Sequence, residues 1–196
     1  MKKHLVLLAS VFVALGVTLG LAACGPNEEE FIREQVAAEL GRVSDASEEN
    51  VRGLLGDETF TSLQDQGLDP VAIYSALFGK FTYEITNVSI EDDVAQVSLT
   101  VTNVDIASAV AGYEASVTEW AGSDDAVYTF DQEGQEGIER EVTRMLYETL
   151  TNPDLATKTG DVTIELRRGE DGVWAPANEA QVTSVLFAGA DVSGLL

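Results

Sequence analysis

The sequence predicts an α+β fold: N-terminal helices, followed by a curved antiparallel sheet of two β-hairpins packed against helices. Apolar residues recur at helical spacing up to about residue 79 and alternate with polar residues from residue 81. Helical spacing then returns before a second alternating region. The two strands of each predicted pair follow one another along the chain, with no helix between them. This order favours one antiparallel sheet that packs against helices.

Four helices are predicted before the first strand. The first spans about residues 28–42, and its acidic first turn suits the positive end of the helix dipole. Ser47 and Asp57 are of the residue types that cap helix N-termini, and they precede the second and third apolar segments. Asp69 followed by Pro70 predicts the start of the fourth helix, since proline is favoured at the first helical position.

The first β-hairpin is predicted to pair residues 80–90 with residues 94–104. Apolar residues alternate with polar ones up to Ile85, but the apolar set resumes at Val88 on the opposite parity. An extra residue in one strand produces such a change of parity, so the sequence predicts a β-bulge near Asn87.

Two more helices and a second hairpin complete the predicted fold. Residues 106–120 have apolar side chains at helical spacing, and a later helix ends near residue 152. Residues 160–168 and 172–176 are predicted to pair through a glycine-containing turn. The residues after 177 indicate a weak helix and an apolar tail.

A lipid anchor is predicted at Cys24. Residues 2–4 are cationic, residues 5–23 contain no charged side chain, and small residues precede the cysteine. This layout is that of a secretory signal peptide, and the segment 21–25 (LAACG) has the pattern of a bacterial lipobox. The sequence therefore predicts a mature chain that begins at Cys24, carries diacylglycerol on its sulfur, and is held on the outside of the cell membrane.

Two other interpretations of this segment remain open. In the first, the nineteen apolar residues span a bilayer as an uncleaved signal anchor, for which they are long enough; in the second, Cys24 is an ordinary cysteine. The lipoprotein interpretation is favoured because Cys24 is the only cysteine and lies where a lipobox requires one.

Four segments follow from these patterns. Residues 1–23 are the predicted signal peptide, and residues 24–30 are the lipidated cysteine and a polar linker. Residues 31–178 form the predicted single α+β domain, and residues 179–196 a weakly defined C-terminal helix and tail.

The mature chain is strongly acidic. Of the 11 basic residues, Lys2 and Lys3 lie in the signal, which leaves 34 acids against 9 bases and a net charge of −25. Such a surface repels phosphate backbones and anionic lipid headgroups, so nucleic-acid binding is not expected. With Cys24 acylated, no thiol remains for a disulfide, and the apolar core alone must hold the fold.

The chain resembles uncharacterised Gram-positive bacterial lipoproteins whose domains are similar to the cystatin-like and nuclear-transport-factor-2-like folds. The resemblance rests on the lipobox, the N-terminal helices and loose hydrophobic patterns at residues 81–85, 94–99, 162–166 and 171–174. It covers about residues 28–178 and implies a curved sheet with a helix across its concave side. It implies no activity, since such folds host enzymes, binding pockets and interaction modules alike.

The residue inventory argues against most catalytic chemistry. The only histidine, His4, lies in the predicted signal, which excludes Ser-His-Asp and Cys-His arrangements and the usual zinc sites from the mature chain. Glycine-rich phosphate loops are absent as well. Most carboxylates lie in polar turns or faces, and the group Asp124, Asp125 and Asp131 does not match a twelve-residue calcium loop. We therefore expect no enzyme activity, metal or cofactor.

If the protein binds a small neutral or cationic molecule, the sequence predicts that the pocket lies between the concave sheet face and the helix at 106–120. Its lining would be apolar with a few polar tips, as small-molecule sites usually are. The predicted lining residues are Tyr83, Val97, Leu99, Tyr113, Val117 and Trp120. Core packing is the competing interpretation of the same aromatic residues.

Three functions remain open from the sequence. The first is a surface-tethered binding module for a small ligand or a protein partner. The second is an envelope interaction protein without a pocket, which a filled concave face would favour. The third is a carboxylate-dependent enzyme, which would require a buried carboxylate pair in an open cavity.

Overall fold

The structure is a computed structural model that describes residues 27–190, so the predicted signal and Cys24 lie outside the described residues. Within this range the chain forms helices and one four-stranded antiparallel sheet, which confirms the predicted α+β class. The helices are α1 (Glu28–Gly41), α2 (Glu48–Leu55), α3 (Asp57–Asp65), α4 (Pro70–Phe78), α5 (Ile106–Ala121), α6 (Asp124–Leu150) and α7 (Glu179–Leu186). The strands are β1 (Thr82–Glu91), β2 (Val94–Val104), β3 (Thr157–Arg168) and β4 (Trp174–Pro176).

Side-chain caps start two of the four N-terminal helices, α2 and α4. Ser47 accepts a hydrogen bond from the backbone N–H of Asn50, and Asp69 accepts from the N–H groups of the first turn of α4, as predicted. The predicted cap at Asp57 is wrong. Gly56 takes that position with φ 76°, a conformation that glycine adopts without steric cost, and Asp57 is the first helical residue.

The strands are hydrogen-bonded in the order β1-β2-β3-β4, so both predicted hairpins form in one sheet. The register of β1 and β2 shifts between Ile85 and Asn87, which confirms the predicted bulge. Arg33 of α1 donates a hydrogen bond of 2.7 Å to the carbonyl oxygen of Ile85. The long-range bond satisfies a backbone acceptor at the point where the ladder is disrupted.

The two faces of the sheet differ in chemistry. One face is apolar, and α1, α4 and α7 pack against strands β1, β2 and β3. The other face carries hydroxyl and carboxylate groups, which bond across strands as Thr100 to Asp161 and Thr102 to Thr159. Apolar and polar residues alternate along the strands, and successive side chains point to opposite faces of the sheet, so the apolar residues form the core on one side.

The C-terminal segment belongs to the core, so the domain extends beyond the predicted boundary at residue 178. Residues 185–188 are all buried, and Phe187 is only 2% exposed. The side chain of Asn103 on β2 donates a hydrogen bond of 2.7 Å to the carbonyl oxygen of Leu186. Gly160 of β3 lies so close that a Cβ atom there would overlap the carbonyl oxygen of Ala188. Because four consecutive residues are buried, no amphipathic period marks this segment in the sequence.

Candidate functional site: the helical hairpin of α5 and α6

The structure does not bring the six predicted pocket residues together, because α5 does not lie across the sheet. The first turns of α5 enter the core through Ile106 and Val110, but the helix packs mainly against α6. The hydroxyl of Tyr113 donates to the carbonyl oxygen of Val142 on α6 at 3.5 Å. A turn of only two residues joins the two helices, so each is the natural partner for the apolar stripe of the other.

The sheet residues of the predicted pocket are covered by other elements. Val97 and Leu99 are 0% and 1% exposed on the apolar face. Tyr83 donates a hydrogen bond of 2.8 Å to the carbonyl oxygen of Ala37 on α1. Val117 and Trp120 remain half-buried on α5. The structure therefore brings Tyr83, Val97 and Leu99 into one core, separately from the three residues on α5.

The start of α6 carries an exposed apolar patch, which we define as Val127, Tyr128 and Phe130. These side chains are 60%, 68% and 57% exposed, and they are the large hydrophobic residues that stand out to solvent in the described chain. At 100° per residue they cover about 160° of the helix circumference, which is too wide an arc for α5 alone to cover. Sequence reasoning missed the patch, because its spacing differs from that of a core-facing stripe.

A glycine breaks the regular backbone of α6 and separates the patch from the rest of the helix. Gly134 has φ 64° and ψ −150°, so α6 is two helical segments joined at a kink. Gly137, in the next turn, is buried beneath the first segment. A Cβ atom on Gly137 would lie 2.6 Å from the Cβ of Glu133 and 3.0 Å from Cγ2 of Thr129. Close packing at Gly137 therefore helps to fix the direction of the segment that carries the patch.

We expect Gly137→Ala to lower the free energy of unfolding by about 1–3 kcal/mol, because the added methyl group overpacks this contact. Gly112 of α5 is the matched control, since it is also helical and a Cβ there would meet nothing within 4 Å. Gly112→Ala should raise the free energy of unfolding by about 0.5–1 kcal/mol through helix propensity. Urea unfolding followed by circular dichroism measures both, and a stabilising Gly137→Ala would contradict the packing described here.

The hairpin is uniformly acidic around the patch. Residues 106–139 contain eight acidic side chains and no lysine or arginine. Asp124 and Asp125 lie in the first turn of α6, where their negative charges interact favourably with the positive end of the helix dipole. Asp131 follows two turns later. No group of acidic, histidine or cysteine side chains in residues 27–190 is arranged to hold a metal ion.

Two surface grooves flank the loop between α3 and α4, with volumes of about 380 and 610 Å³. The first is lined by Arg140 and Arg144, but both arginines already pair with carboxylates of their own helix. The hydrogen bonds that Arg144 donates to Glu141 and Glu148 raise the pKa of Arg144, and the bond that Glu141 accepts from Arg144 lowers the pKa of Glu141. These grooves thus offer no unpaired cation for an anionic ligand.

The described acidic and basic side chains are not buried, and Asn103 is the buried polar residue of the core. Tyr74 is buried, but burial raises the pKa of its hydroxyl to about 12, far from that of an acid–base catalyst at neutral pH. Hydrogen bonds from Ser108 lower the pKa of Asp105, the N-cap of α5. A carboxyl group that acts as a general acid at neutral pH needs a raised pKa, whereas the pKa of Asp105 is lowered.

No helix within residues 27–190 combines the length and apolarity that crossing a membrane requires.

Comparison with known proteins gives little beyond this geometry. No protein-family model matches the chain, and the search of curated protein sequences found no match. Among solved structures, the chain is similar to the crystal structure of a "putative lipoprotein (ycdA)" from Bacillus subtilis subsp. subtilis strain 168, with 16% sequence identity and a TM-score of 0.40. The similarity covers 93% of this chain and 54% of that chain, so the protein spans about half the length of its structural neighbour.

Proposed function

We propose that this protein is a membrane-anchored extracytoplasmic lipoprotein whose domain binds another protein and catalyses no reaction. The observation that carries the proposal is the contrast between a filled apolar sheet face and an uncovered apolar patch on α6. A closed core face leaves no room for a small ligand in the place where the fold would normally hold one. The exposed patch is of the kind that marks protein interaction sites.

The anchoring part of the proposal rests on the sequence at Cys24. The lipobox supplies a thiol for thioether attachment of diacylglycerol, and two or three acyl chains on one residue hold a protein stably at a membrane. The resemblance to Gram-positive lipoproteins with cystatin-like or nuclear-transport-factor-2-like domains is consistent with this location. The proposed domain is accordingly of the cystatin-like or nuclear-transport-factor-2-like type.

The proposal also fixes which end of the domain faces the membrane. Helix α1 begins four residues after Cys24, a length of chain that spans at most about 14 Å. Glu28, the first residue of α1, pairs with Arg168 at the end of β3, and Arg168 lies 3.8 Å from Asp93 in the turn between β1 and β2. The anchor is thus attached at the turn end of the sheet. Strand β2 runs from that end over 11 residues, about 33–36 Å, to the base of the α5–α6 hairpin.

Metabolic labelling of cells with a clickable fatty acid tests the anchor. We expect the wild-type protein to take up label and Cys24→Ala to lose it completely, because Cys24 supplies the only thiol in the chain. Gly25→Ala is the matched control, since it changes the neighbouring residue and leaves the thiol in place. Undiminished label on Cys24→Ala would exclude lipidation at this residue.

A further inference from the structure

We propose that the exposed apolar patch of α6 is the docking surface for a cationic amphipathic segment of a partner protein. This inference rests on the proposed function and names the chemistry of the partner. Its first support is the exposure of three large side chains in one short helical segment, two of them aromatic. Aromatic residues that become buried at the centre of an interface supply a large share of binding energy.

The negative charge around the patch indicates that the binding segment of the partner is positively charged. Eight carboxylates and no basic residue lie within residues 106–139. Among them, Glu119 in the last turn of α5 and Asp131, which follows Phe130 in α6, are exposed. Complementary potentials accelerate association and suppress partners of like charge. A partner with lysine or arginine beside its apolar residues satisfies both the carboxylates and the aromatic faces, which attract cations.

The same charge argues against the other occupants of an exposed apolar patch. A second copy of this chain would bring two acidic hairpins together, and an anionic membrane would meet the same repulsion. The partner is therefore a protein segment and not the lipid surface that holds Cys24.

The test uses the chain from Gly25 to Leu196, which keeps every residue of the core and lacks the lipid that would itself adsorb an amphipathic probe. The probe is a fluorescent 18-residue helical peptide of leucine and lysine. A lysine–serine peptide matches its charge, and a leucine–glutamate peptide matches its apolar face. By fluorescence anisotropy at low salt, we expect the leucine–lysine peptide to bind at least tenfold more tightly than either control.

Two pairs of variants locate the site. Tyr128→Ser with Phe130→Ser should weaken binding at least tenfold, because it removes the aromatic part of the patch. Glu119→Gln with Asp131→Asn should weaken it severalfold and reduce its salt dependence. The matched control, Glu58→Gln with Asp65→Asn, removes the same charge from exposed positions of α3 and should leave binding unchanged.

Several results would overturn the inference. Equal binding of either control peptide would mean that charge alone or apolarity alone suffices, and an unchanged affinity in the Tyr128 and Phe130 variant would place binding elsewhere. A dimer in analytical ultracentrifugation that the same variant abolishes would make a second copy the occupant. None of these results depends on lipidation, so failure here is distinct from failure of the labelling experiment at Cys24.

Discussion

Phe187→Ala is expected to lower the free energy of unfolding by about 3–5 kcal/mol, the usual cost of removing a buried phenyl ring. Phe187 is 2% exposed, and its ring lies 5.9 Å from that of Phe78 on α4, centroid to centroid. Loss of the ring leaves a cavity where the C-terminal segment meets the core. The surrounding side chains are closely packed and cannot move enough to fill it. Urea unfolding monitored by circular dichroism gives the free energies for variant and wild type.

Phe130→Ala is the matched control for this prediction. It removes the same side chain from a position that is 57% exposed, so we expect a change of about 0.5 kcal/mol or less. Equal losses at the two positions would show that residues 187 and 130 are buried to the same degree, which contradicts the docking of the C-terminal segment into the core.

Asn103→Asp is expected to lower the free energy of unfolding by about 3–5 kcal/mol at neutral pH, the range for an uncompensated buried charge. Asn103 is 0% exposed, and its side-chain amide donates to the carbonyl oxygen of Leu186. A carboxylate in its place has no proton to donate and faces that oxygen as a second acceptor. Asn103→Ala removes the donor without adding charge and should cost about 1–3 kcal/mol.

The pH dependence separates these two variants. Burial raises the folded-state pKa of the introduced carboxyl above its unfolded value of about 3.9. Between those two pKa values the folded state binds more protons than the unfolded state, so the loss of stability grows as the pH rises. Compared with wild type at each pH, the loss should be smaller at pH 5 than at pH 8. A loss independent of pH, like that expected of Asn103→Ala, would mean that residue 103 is not enclosed.

Local signals in the sequence were sufficient for the elements whose partners are near in the chain. Ser47 and Asp69 cap helices through bonds to residues within three positions, and the parity change after Ile85 directly reports a bulge. The strands followed because alternation of residue type corresponds to the alternation of side chains across a sheet. These features depend on backbone geometry that a short window of residues determines.

The candidate site was not accessible to the same reasoning. The spacing from Ile106 to Trp120 predicts that one side of α5 is buried, but periodicity does not say whether a sheet or a helix buries it. The first half of α6 was missed because Gly134 and Gly137 lower helix propensity, although Gly137 packs closely against Thr129 and Glu133 across the kink. The patch could have been noticed as an apolar, partly aromatic cluster in an acidic stretch without a core-facing period.

The most direct test is to measure which end of the domain faces the membrane. In the acylated protein the Cys24 sulfur is blocked, so a cysteine introduced by Asp93→Cys or, separately, by Ala107→Cys in the first turn of α5 can be labelled specifically with a donor dye. The protein is placed in lipid nanodiscs that carry acceptor dyes on their headgroups, and energy transfer is compared between the two positions. We expect strong transfer from position 93, at the turn end of the sheet, and much weaker transfer from position 107, at the opposite end of β2. Transfer from position 107 that equals or exceeds transfer from position 93 would contradict a lipoprotein that is anchored at the turn end of its sheet.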